Sequence, residues 1–460
     1  MYEKIINSIQ GVLPVFKFLK CLITAPFRNY HSRRAIRGLA NDELTTTYYS
    51  ELYCIWNDKE YTKYLSLSHE KTKKLISKKS EKGERIKIAF QISLISVWVG
   101  DELVNKFQKD DRFDVTIIIV WQTNTSKFEV ETLKEYFKVR SFKYVVADGT
   151  LHPGDFDIVF YTSPYLNILE NWSENDIPLS TLTCYIPYGF LIAAIQNLQF
   201  NLFIHNTIWK NFCIAKDYQD MANKYCRIGK MGMVYSGYPK LDRAYNLKCG
   251  INVLWKNPRK SANIKKIIYA PHHSINDEPY YSTFAENKDF ILNYARNHVE
   301  TTSWVFKPHP LLKVRAVTSG LFKSEERYEE YVNEWRNLPN AIVLDGEYLD
   351  YMASSDAMIF DSISFMAEYL YFNKPALFLT RENEKMNEFG SKVLDILYHV
   401  SGKNLMGIAD FIENGIENDS KFVERSRFFT KYLDYYKENR KLASDFIYSD
   451  VVKDIFSCNV

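Results

Sequence analysis

The sequence predicts an α/β protein made of two successive domains, each built on a parallel sheet. From Ile86 onward, short apolar segments rich in β-branched residues alternate with segments of helical periodicity, and the same alternation begins again at Ile267. Strands that are apolar throughout are typical of parallel sheets covered by helices on both faces. The 460 residues suffice for about three structural units. We therefore expect two Rossmann-like domains that face each other across a cleft, with further helices at both ends of the chain.

The composition excludes several classes of protein. Hydrophobic residues make up 46% and charged residues 25% of the chain, which is the balance of a folded protein and not of a disordered one. The formal net charge of +3 is too small to indicate nucleic-acid binding. The seven cysteines include no Cys-x-x-Cys pair, which argues against a disulfide framework and against a structural zinc site.

The first 80 residues form a predicted N-terminal helical region, 1–80. Within residues 1–40, apolar residues recur at steps of three and four, and seven basic residues accompany one acidic residue. Pro14 predicts a kink or a break in this pattern. Two interpretations stay open, namely a helix that packs on the core and an amphipathic helix on an anionic membrane surface. Since no apolar run is long enough for a membrane span, we expect a cytoplasmic protein, either free or peripheral on the inner face of the cell membrane.

The domain boundaries follow from the alternation of strands and helices. We expect the first sheet domain over residues 81–240, the second over 241–420, and C-terminal helices over 421–460 that pack back on the first domain. A Lys- and Gly-containing linker is predicted at 78–83. The predicted strands are 86–92, 115–120, 142–146, 158–160 and 181–185 in the first domain, and 267–270, 304–307, 341–344, 357–360 and 376–379 in the second. The predicted helices include 101–107, 289–298 and 362–372.

Three predicted strands of the second domain end in polar clusters. The clusters are His272 and His273, then Lys307 and His309, and finally Asp361, Ser362 and Ser364. Ligands of parallel sheets bind beyond the carboxyl ends of the strands, so these side chains should meet at one edge. Hydroxyls and free N–H groups at a helix start favour an anion. Each cluster alone has a simpler explanation, a helix N-cap or a rigid Pro-His-Pro turn, but their convergence predicts a nucleoside diphosphate site.

Four blocks of sequence occur in a characteristic order. They are SGYPKLD at 236–242, IIYAPHHS at 267–274, KPHP at 307–310, and 350–380 with SSDAMIFDSISFMAEYLYFNKPALFL. Together they resemble the CDP-glycerol glycerophosphotransferases of teichoic acid and capsule synthesis, over roughly residues 180–400. The resemblance implies a GT-B fold, a nucleotide diphosphate donor in the second domain and a membrane-associated acceptor.

The resemblance also implies roles for individual residues. His309 would contact the donor phosphate together with Lys307, and Ser362 and Ser364 would hold the pyrophosphate at the helix start, beside Asp361. The family's two serines are adjacent, whereas here the second is displaced by one position. Glu368 would bind ribose hydroxyls, although a surface glutamate is an equally good interpretation.

The first domain departs from the family pattern. The family carries Trp-His-Gly near the end of this domain, and its histidine would be the base toward the acceptor hydroxyl. The corresponding segment here, CYIPYGF at 184–190, keeps Gly189 but has no histidine. A base must lie within hydrogen-bond reach of the attacking hydroxyl. The candidate catalytic residues are therefore Asp101, His272 or His273, and His309, and the candidate acceptor-binding residues are Trp98 and Tyr188.

We therefore expect a transferase that moves glycerol phosphate, or another polyol phosphate, from a CDP-linked donor to a cell-surface polymer or lipid-linked acceptor. One alternative is a GT-B glycosyltransferase that uses a nucleotide sugar for capsule, lipopolysaccharide or teichoic acid synthesis. The other is a non-catalytic scaffold that binds a nucleotide or sugar at the membrane. No cofactor and no metal are expected, because the sequence has no trustworthy Asp-x-Asp pair and no His/Cys cluster.

Overall fold

The computed structural model describes residues 28–122, 126–247, 253–260, 263–276 and 280–457. Two parallel sheets follow each other along the chain, the first between residues 86 and 235 and the second between 265 and 401. The predicted kink at Pro14, and most of the predicted amphipathic helix, lie outside the described residues. Among the described helices, none combines the length and the apolar character that crossing a bilayer requires.

The first sheet has seven parallel strands in the order β4-β2-β1-β5-β7-β8-β9. Its strands, together with the short antiparallel pair β3 and β6, are β1 (Ile86–Ile92), β2 (Phe113–Ile119), β3 (Trp121–Gln122), β4 (Tyr144–Val146), β5 (Ile158–Tyr161), β6 (Leu169–Glu170), β7 (Leu182–Tyr185), β8 (Lys210–Cys213) and β9 (Met233–Tyr235). β1 lies at the centre, where Ile88 pairs with Val115 of β2 and with Ile158 of β5. The sequence does not predict β8 or β9, because Lys210 and Asn211 interrupt the apolar run of β8 and β9 is a half-buried edge strand.

Helices cover both faces of the first sheet. They are α1 (28–40), α2 (Tyr49–Tyr53), α3 (Asp58–Glu81), α4 (Asp101–Gln108), α5 (Lys127–Val139), α6 (Gln196–Phe200), α7 (Tyr218–Tyr225) and α8 (Asp242–Asn246). The predicted linker at 78–83 is largely wrong, since α3 continues through Lys78 and Lys79. The chain turns only at Gly83, whose φ of +81° suits a residue without a side chain.

The second sheet has six parallel strands in the order β12-β11-β10-β13-β14-β15. They are β10 (Lys265–Ala270), β11 (Thr302–Phe306), β12 (Ala341–Val343), β13 (Ala357–Phe360), β14 (Ala376–Thr380) and β15 (Tyr398–Ser401). The four central strands are buried along almost their whole length, as their apolar sequences predict. The sequence does not predict β15, because this edge strand alternates between half-buried and exposed residues.

The second sheet is also flanked by helices. They are α9 (Phe284–Asn297), α10 (Leu312–Thr318), α11 (Glu325–Asn337), α12 (Leu349–Ser354), α13 (Ile363–Glu368), α14 (Glu388–Asp395) and α15 (Leu405–Asp410). The helix predicted at 362–372 is divided, because α13 ends at Glu368 and a 3₁₀ turn, Tyr369–Phe372, follows it. Asn373 then adopts a left-handed conformation with φ of +48° and leads into β14.

The chain ends in three helices, α16 (Phe422–Tyr432), α17 (Tyr435–Asn439) and α18 (Ala443–Phe456). α18 packs against α3 and α4 of the first half. Lys210 of β8 pairs with Asp450 at 2.6 Å, and Lys73 of α3 pairs with Asp454 at 3.2 Å. The Asp242 carboxylate accepts the backbone N–H groups that begin α18, at 2.7 and 2.8 Å. The C-terminal helices therefore hold the segment that connects the two sheets against the first sheet.

The two halves meet where the segment after β7 contacts the segment before α14. The Asn387 N–H donates to the Ile192 carbonyl at 2.8 Å, and the Asn387 side chain donates to the Leu191 carbonyl at 2.7 Å. A Cβ on Gly390 would lie 2.6 Å from the Ile192 side chain, so the backbones approach closely here. This contact places the carboxyl edge of the first sheet against that of the second.

Candidate functional site

The candidate site lies at the carboxyl ends of three neighbouring strands, β11, β10 and β13. Tyr269 of β10 pairs with Phe306 of β11 on one side and with Ile359 of β13 on the other. The loops that follow these parallel strands therefore leave the sheet at the same edge. The His309 N–H donates to the Pro271 carbonyl at 3.1 Å, which joins two of these loops.

Three imidazoles come together at this edge. The ring centroid of His273 lies 4.2 Å from that of His272 and 4.1 Å from that of His309. One nitrogen of each ring lies within 4.8 Å of the others. The expectation of no His cluster is wrong here, because only the strand order brings together residues that are far apart in sequence. Burial, with His273 as a further cause, lowers the pKa of His309 to about 3 and that of His272 well below its usual range, so both rings are neutral at pH 7.

Asp361 lies beneath the loops and is buried. Its carboxylate accepts the His272 backbone N–H, the Thr283 backbone N–H and, at 2.9 Å, the Thr283 hydroxyl. Burial raises the pKa of Asp361 to about 7, against the effect of these hydrogen bonds. The prediction that Asp361 binds the donor directly is therefore wrong, because the side chain is buried and both of its oxygens accept hydrogen bonds from the protein. Asp361 instead positions the loop that carries His272.

The start of α13 lies in the cleft between the two halves. Ser362 precedes this helix, and its hydroxyl makes no capping hydrogen bond. The simpler N-cap explanation of Ser362 therefore does not hold. Ser364 is half-buried in the first turn, and a Cβ on Gly189 would lie 3.9 Å from the Ser364 Cβ. The helix start thus faces the segment that follows β7 in the first half.

Two lysines approach the ring of Tyr348. The Nζ atoms of Lys240 and Lys307 lie 5.0 and 5.7 Å from the Tyr348 ring centroid. The Tyr348 hydroxyl donates to Glu368 Oε2 at 2.5 Å. Glu368 is only 1% exposed, so its interpretation as a surface glutamate is wrong. Burial raises the pKa of Glu368, while burial and the Lys240 charge lower that of Lys307. Both lysines act on the buried Glu368 carboxylate, and two further acidic side chains act on Lys307, so these cations are partly neutralised within the protein.

Tyr188 lies on the first-half side of the cleft. Its backbone carbonyl accepts a hydrogen bond from the Tyr238 hydroxyl, and its side chain is half-buried. Burial raises the pKa of the Tyr188 phenol. The adjacent Gly189 is the residue that approaches Ser364. Tyr188 therefore stands next to the place where the two halves face each other.

The profile of the CDP-Glycerol:Poly(glycerophosphate) glycerophosphotransferase family matches residues 100–453. The chain belongs to this family. The family resemblance drawn from the four sequence blocks is confirmed, as is the prediction that the chain is a transferase. No curated protein matches the chain.

Solved structures share the fold of this glycerophosphotransferase. A variant of the wall teichoic acid polymerase TagF has a TM-score of 0.50 and 12% identity, and the match covers 93% of this chain and 97% of that chain. A putative UDP-N-acetylglucosamine 2-epimerase from Listeria monocytogenes also has a TM-score of 0.50 and 12% identity, with 82% of this chain and 98% of that chain covered. These similarities confirm the predicted α/β architecture of the GT-B type.

Trp98 of the glycerophosphotransferase belongs to the core and not to the cleft. Its side chain is 5% exposed, and its ring packs edge-on against Phe90 and Phe137. The prediction of an acceptor platform is therefore wrong, because neither face of the indole is open to a ligand.

Asp101 begins α4 and is held by three donors. The Trp98 indole N–H donates to Oδ1 at 2.6 Å, while the Tyr136 hydroxyl and the Arg140 Nε–H donate to Oδ2 at 2.6 and 3.1 Å. A general base needs a free lone pair directed at the substrate hydroxyl. These contacts use most of the lone pairs of the carboxylate, so they disfavour the prediction of Asp101 as the base and make it a structural link between α4 and α5.

Sequence reasoning missed three residues of the glycerophosphotransferase site. Lys240 lies in the SGYPKLD block, so its basic character was a usable signal, whereas nothing in the sequence marks Tyr348. Arg381 follows β14 and donates to the Ser282 carbonyl at 3.0 Å and to the Ile275 carbonyl. It thereby holds the long loop after His272 against the sheet.

Proposed function

We propose that this glycerophosphotransferase moves glycerol phosphate, or another polyol phosphate, from a CDP-linked donor to a hydroxyl of a cell-surface polymer or lipid-linked acceptor. The convergence of buried imidazoles, a desolvated lysine and an uncapped helix start at one sheet edge carries the proposal. All of these groups favour negative charge. A diphosphate is the part of such a donor that matches them.

The donor contacts in this proposal come from the second half. His309 and Lys307 contact the phosphates, and Ser362 and Ser364 bind the pyrophosphate with the N–H groups that begin α13. Glu368 accepts from Tyr348 through Oε2, and the proposal assigns Oε1 to a ribose hydroxyl. Each assignment uses a group that lies at the shared edge of β11, β10 and β13 or on the helix leaving it.

The proposed reaction is a phosphoryl transfer. The acceptor hydroxyl attacks the β-phosphorus, a new O–P bond forms, the bond from that phosphorus to the bridging oxygen breaks, and CMP leaves with the electron pair. The hydroxyl proton passes to solvent or to a base on the acceptor side. Such transition states are loose and gain most of their stabilisation from positioning and from fixed charges. Lys307, His309 and the start of α13 supply these charges and N–H donors at the bridging and non-bridging oxygens.

The acceptor side of the proposal lies in the first half. We assign residues 81–240 to the acceptor and residues 241–420 to the donor, because the segment after β7, with Tyr188 and Gly189, faces the start of α13. Residues 1–80 would hold the enzyme on an anionic membrane surface at the inner face of the cell membrane. Arg33 and Arg37 of α1 are exposed and contribute to the basic excess of this region.

The activity is tested by incubating the full chain with CDP-glycerol and a lipid-linked acceptor that ends in a free hydroxyl. We expect CMP release by chromatography, and an acceptor that gains glycerol-phosphate units by mass spectrometry. His309→Ala should abolish most of the release, whereas His399→Ala, which alters an exposed histidine of β15, should not. Release of a nucleoside diphosphate from a nucleotide sugar would establish glycosyl transfer instead. Failure to release any nucleotide would contradict the enzyme proposal.

Membrane attachment is tested by co-sedimentation with vesicles that contain phosphatidylglycerol. Reversing the charge of Arg33 and Arg37 together should reduce binding strongly, since each basic residue near an anionic surface contributes about 1 kcal/mol. The same variants should bind neutral vesicles no differently from the unmodified chain. Equal binding of both proteins to anionic vesicles would contradict this part of the proposal.

A further inference from the structure

The hydrogen bonds around His272 determine which of its ring nitrogens carries the proton. The Ser274 backbone N–H donates to His272 Nδ1 at 3.2 Å, and Ser274 Oγ lies 2.9 Å from the same nitrogen. The Tyr281 N–H donates to Ser274 Oγ at 2.9 Å, which leaves the hydroxyl proton of Ser274 free to point toward Nδ1. A neutral imidazole has one donor and one acceptor nitrogen. Since Nδ1 accepts, the proton lies on Nε2.

His309 has the same arrangement in the neighbouring loop. The Leu311 N–H donates to His309 Nδ1 at 3.1 Å, while the Leu312 N–H donates to the His309 carbonyl at 2.8 Å. The ring is neutral at pH 7, because burial lowers its pKa to about 3. The Nε2 of His309 therefore also carries a proton. The centroids of the two rings lie 5.3 Å apart, with His273 between them.

We infer that His272 is a second imidazole N–H donor to the diphosphate of the nucleotide donor, beside His309, and that Ser274 is the positioning residue that fixes its tautomer. The identity of the anion rests on the proposed function, whereas the tautomer does not. Two Nε2–H donors from neighbouring loops can contact different oxygens of one diphosphate without adding a net charge to the site. Asp361 supports this arrangement by holding the His272 backbone N–H.

The same arrangement removes two other roles for the cluster. A general base or a metal ligand needs an unprotonated Nε2, which places the proton of the neutral ring on Nδ1. In His272 and His309, that proton would point at the N–H groups of Ser274 and Leu311. Although the three rings are close enough to surround an ion, two of them are fixed as hydrogen-bond donors. His272 is therefore not the base that the sequence suggested.

The tautomers are tested directly on the full chain with ¹⁵N-labelled histidine. Long-range ¹H–¹⁵N spectra should show a protonated Nε2 and an unprotonated Nδ1 for both rings, assigned by the signals lost in the His272→Gln and His309→Gln variants. Addition of Zn²⁺ should leave these signals in place. An Nδ1–H tautomer, or Zn²⁺ binding at Nε2, would overturn the inference.

Anion binding is tested with inorganic pyrophosphate and with CDP-glycerol by calorimetry. The amide nitrogen of glutamine can occupy the position of Nε2, whereas that of asparagine reaches only the position of Nδ1. We expect His272→Asn to weaken the binding of both ligands about ten- to a hundredfold, and His272→Gln to retain most of it. His399→Asn is the matched control at an exposed position of the same half.

The outcomes separate this inference from the proposed function. Equal losses in His272→Asn and His272→Gln, or no loss in either folded variant, would overturn the role of His272. If pyrophosphate binding follows the expected pattern but no glycerol phosphate is transferred, the proposed function fails and the anion site stands. Ser274→Ala removes the hydroxyl but keeps the backbone N–H that donates to Nδ1, so it should give a smaller loss of pyrophosphate affinity and leave the Nε2–H signal of His272 in place.

Discussion

The carboxyl edges of the two sheets are built from the same kind of strands but present different chemistry. The edge of the second sheet carries three imidazoles, a desolvated lysine and a helix start whose preceding serine makes no capping bond. At the edge of the first sheet, the Asp101 carboxylate accepts hydrogen bonds from three protein donors, and Trp98 is buried in the core. Tyr188 and Gln91 add neutral polar side chains to this edge.

This difference shows how one architecture can serve two different ligands. Charged groups that are only partly satisfied inside the protein need an external partner of opposite charge. Neutral hydroxyl and amide groups suit a ligand rich in hydroxyls, because they can both donate and accept. The proposed function therefore assigns the nucleotide diphosphate to the second edge and the polyol chain to the first. Four substitutions test this comparison.

Lys307→Met should have the largest effect. It removes a charge from the second edge while retaining most of the side-chain volume, and loss of one preorganised electrostatic contact costs about 3–4 kcal/mol, or about 10²- to 10³-fold in kcat. Because burial and Lys240 lower the pKa of Lys307, donor affinity of the unmodified enzyme should also fall as the pH rises toward that lowered pKa. Steady-state CMP release at several pH values measures both effects.

The matched control for this substitution is Lys403→Met, since the Lys403 side chain is 67% exposed. Its activity should equal that of the unmodified enzyme. A Lys307→Met enzyme that melts at the usual temperature and retains full activity would show that the second edge does not hold the donor.

Ser362→Ala should weaken CDP binding about tenfold or more, because a hydrogen bond to a charged group contributes about 1.5–3 kcal/mol. Its hydroxyl makes no capping bond to α13, so the melting temperature should hardly change. The loss of a real cap would instead lower stability by about 1 kcal/mol and leave the affinity of the folded protein unchanged. Calorimetry with CDP, together with thermal melting, distinguishes the two results.

Much of this second edge could be predicted from the sequence. The strand β13 begins and ends where its apolar run begins and ends, because fully buried parallel strands carry a continuous apolar sequence. Lys307, His309 and the two serines were predicted from their position after such strands. Their meeting with His272 and His273 at one edge was predicted too, whereas the close packing of the three imidazoles was not, because it depends on the order β11-β10-β13, which differs from the order in the chain.

The direction in which side chains point also could not be predicted from the sequence. Trp98, Asp101 and Asp361 all follow or approach strand ends, as site residues do, but each side chain turns into the protein. Trp98 packs on Phe90 of β1 and Phe137 of α5. These contacts join elements far apart in sequence, so no local pattern reveals them.

Asp101→Asn should reduce stability and not catalysis. The amide keeps the volume but replaces one acceptor oxygen with a donor, which opposes the Tyr136 hydroxyl or the Arg140 Nε–H. A mismatch of this kind costs about 1–3 kcal/mol. The melting temperature should fall, while CMP release per folded molecule should change little. A stable variant with no activity would restore Asp101 as the base and contradict the contrast between the two edges.

Gln91→Leu should have the smallest effect on stability. It should stabilise the protein, whereas Asp101→Asn should destabilise it. Gln91 lies near the carboxyl end of β1 and is only 1% exposed, yet its side-chain Nε2 and Oε1 have no hydrogen-bond partner among the described residues. A buried amide without partners costs about 1–3 kcal/mol, so leucine should raise the melting temperature.

A buried amide without partners in the described protein would be useful if it formed hydrogen bonds with the hydroxyl groups of a ligand. If Gln91 faces the acceptor, Gln91→Leu should raise the acceptor KM about threefold to tenfold, the loss of one neutral hydrogen bond, and leave CDP affinity unchanged. Val159→Leu, a change at a buried apolar position of the neighbouring strand β5, controls for altered packing. A stabilised variant with an unchanged acceptor KM would show that the first edge binds the acceptor elsewhere, and a loss of CDP affinity would show that the two edges do not divide the ligands.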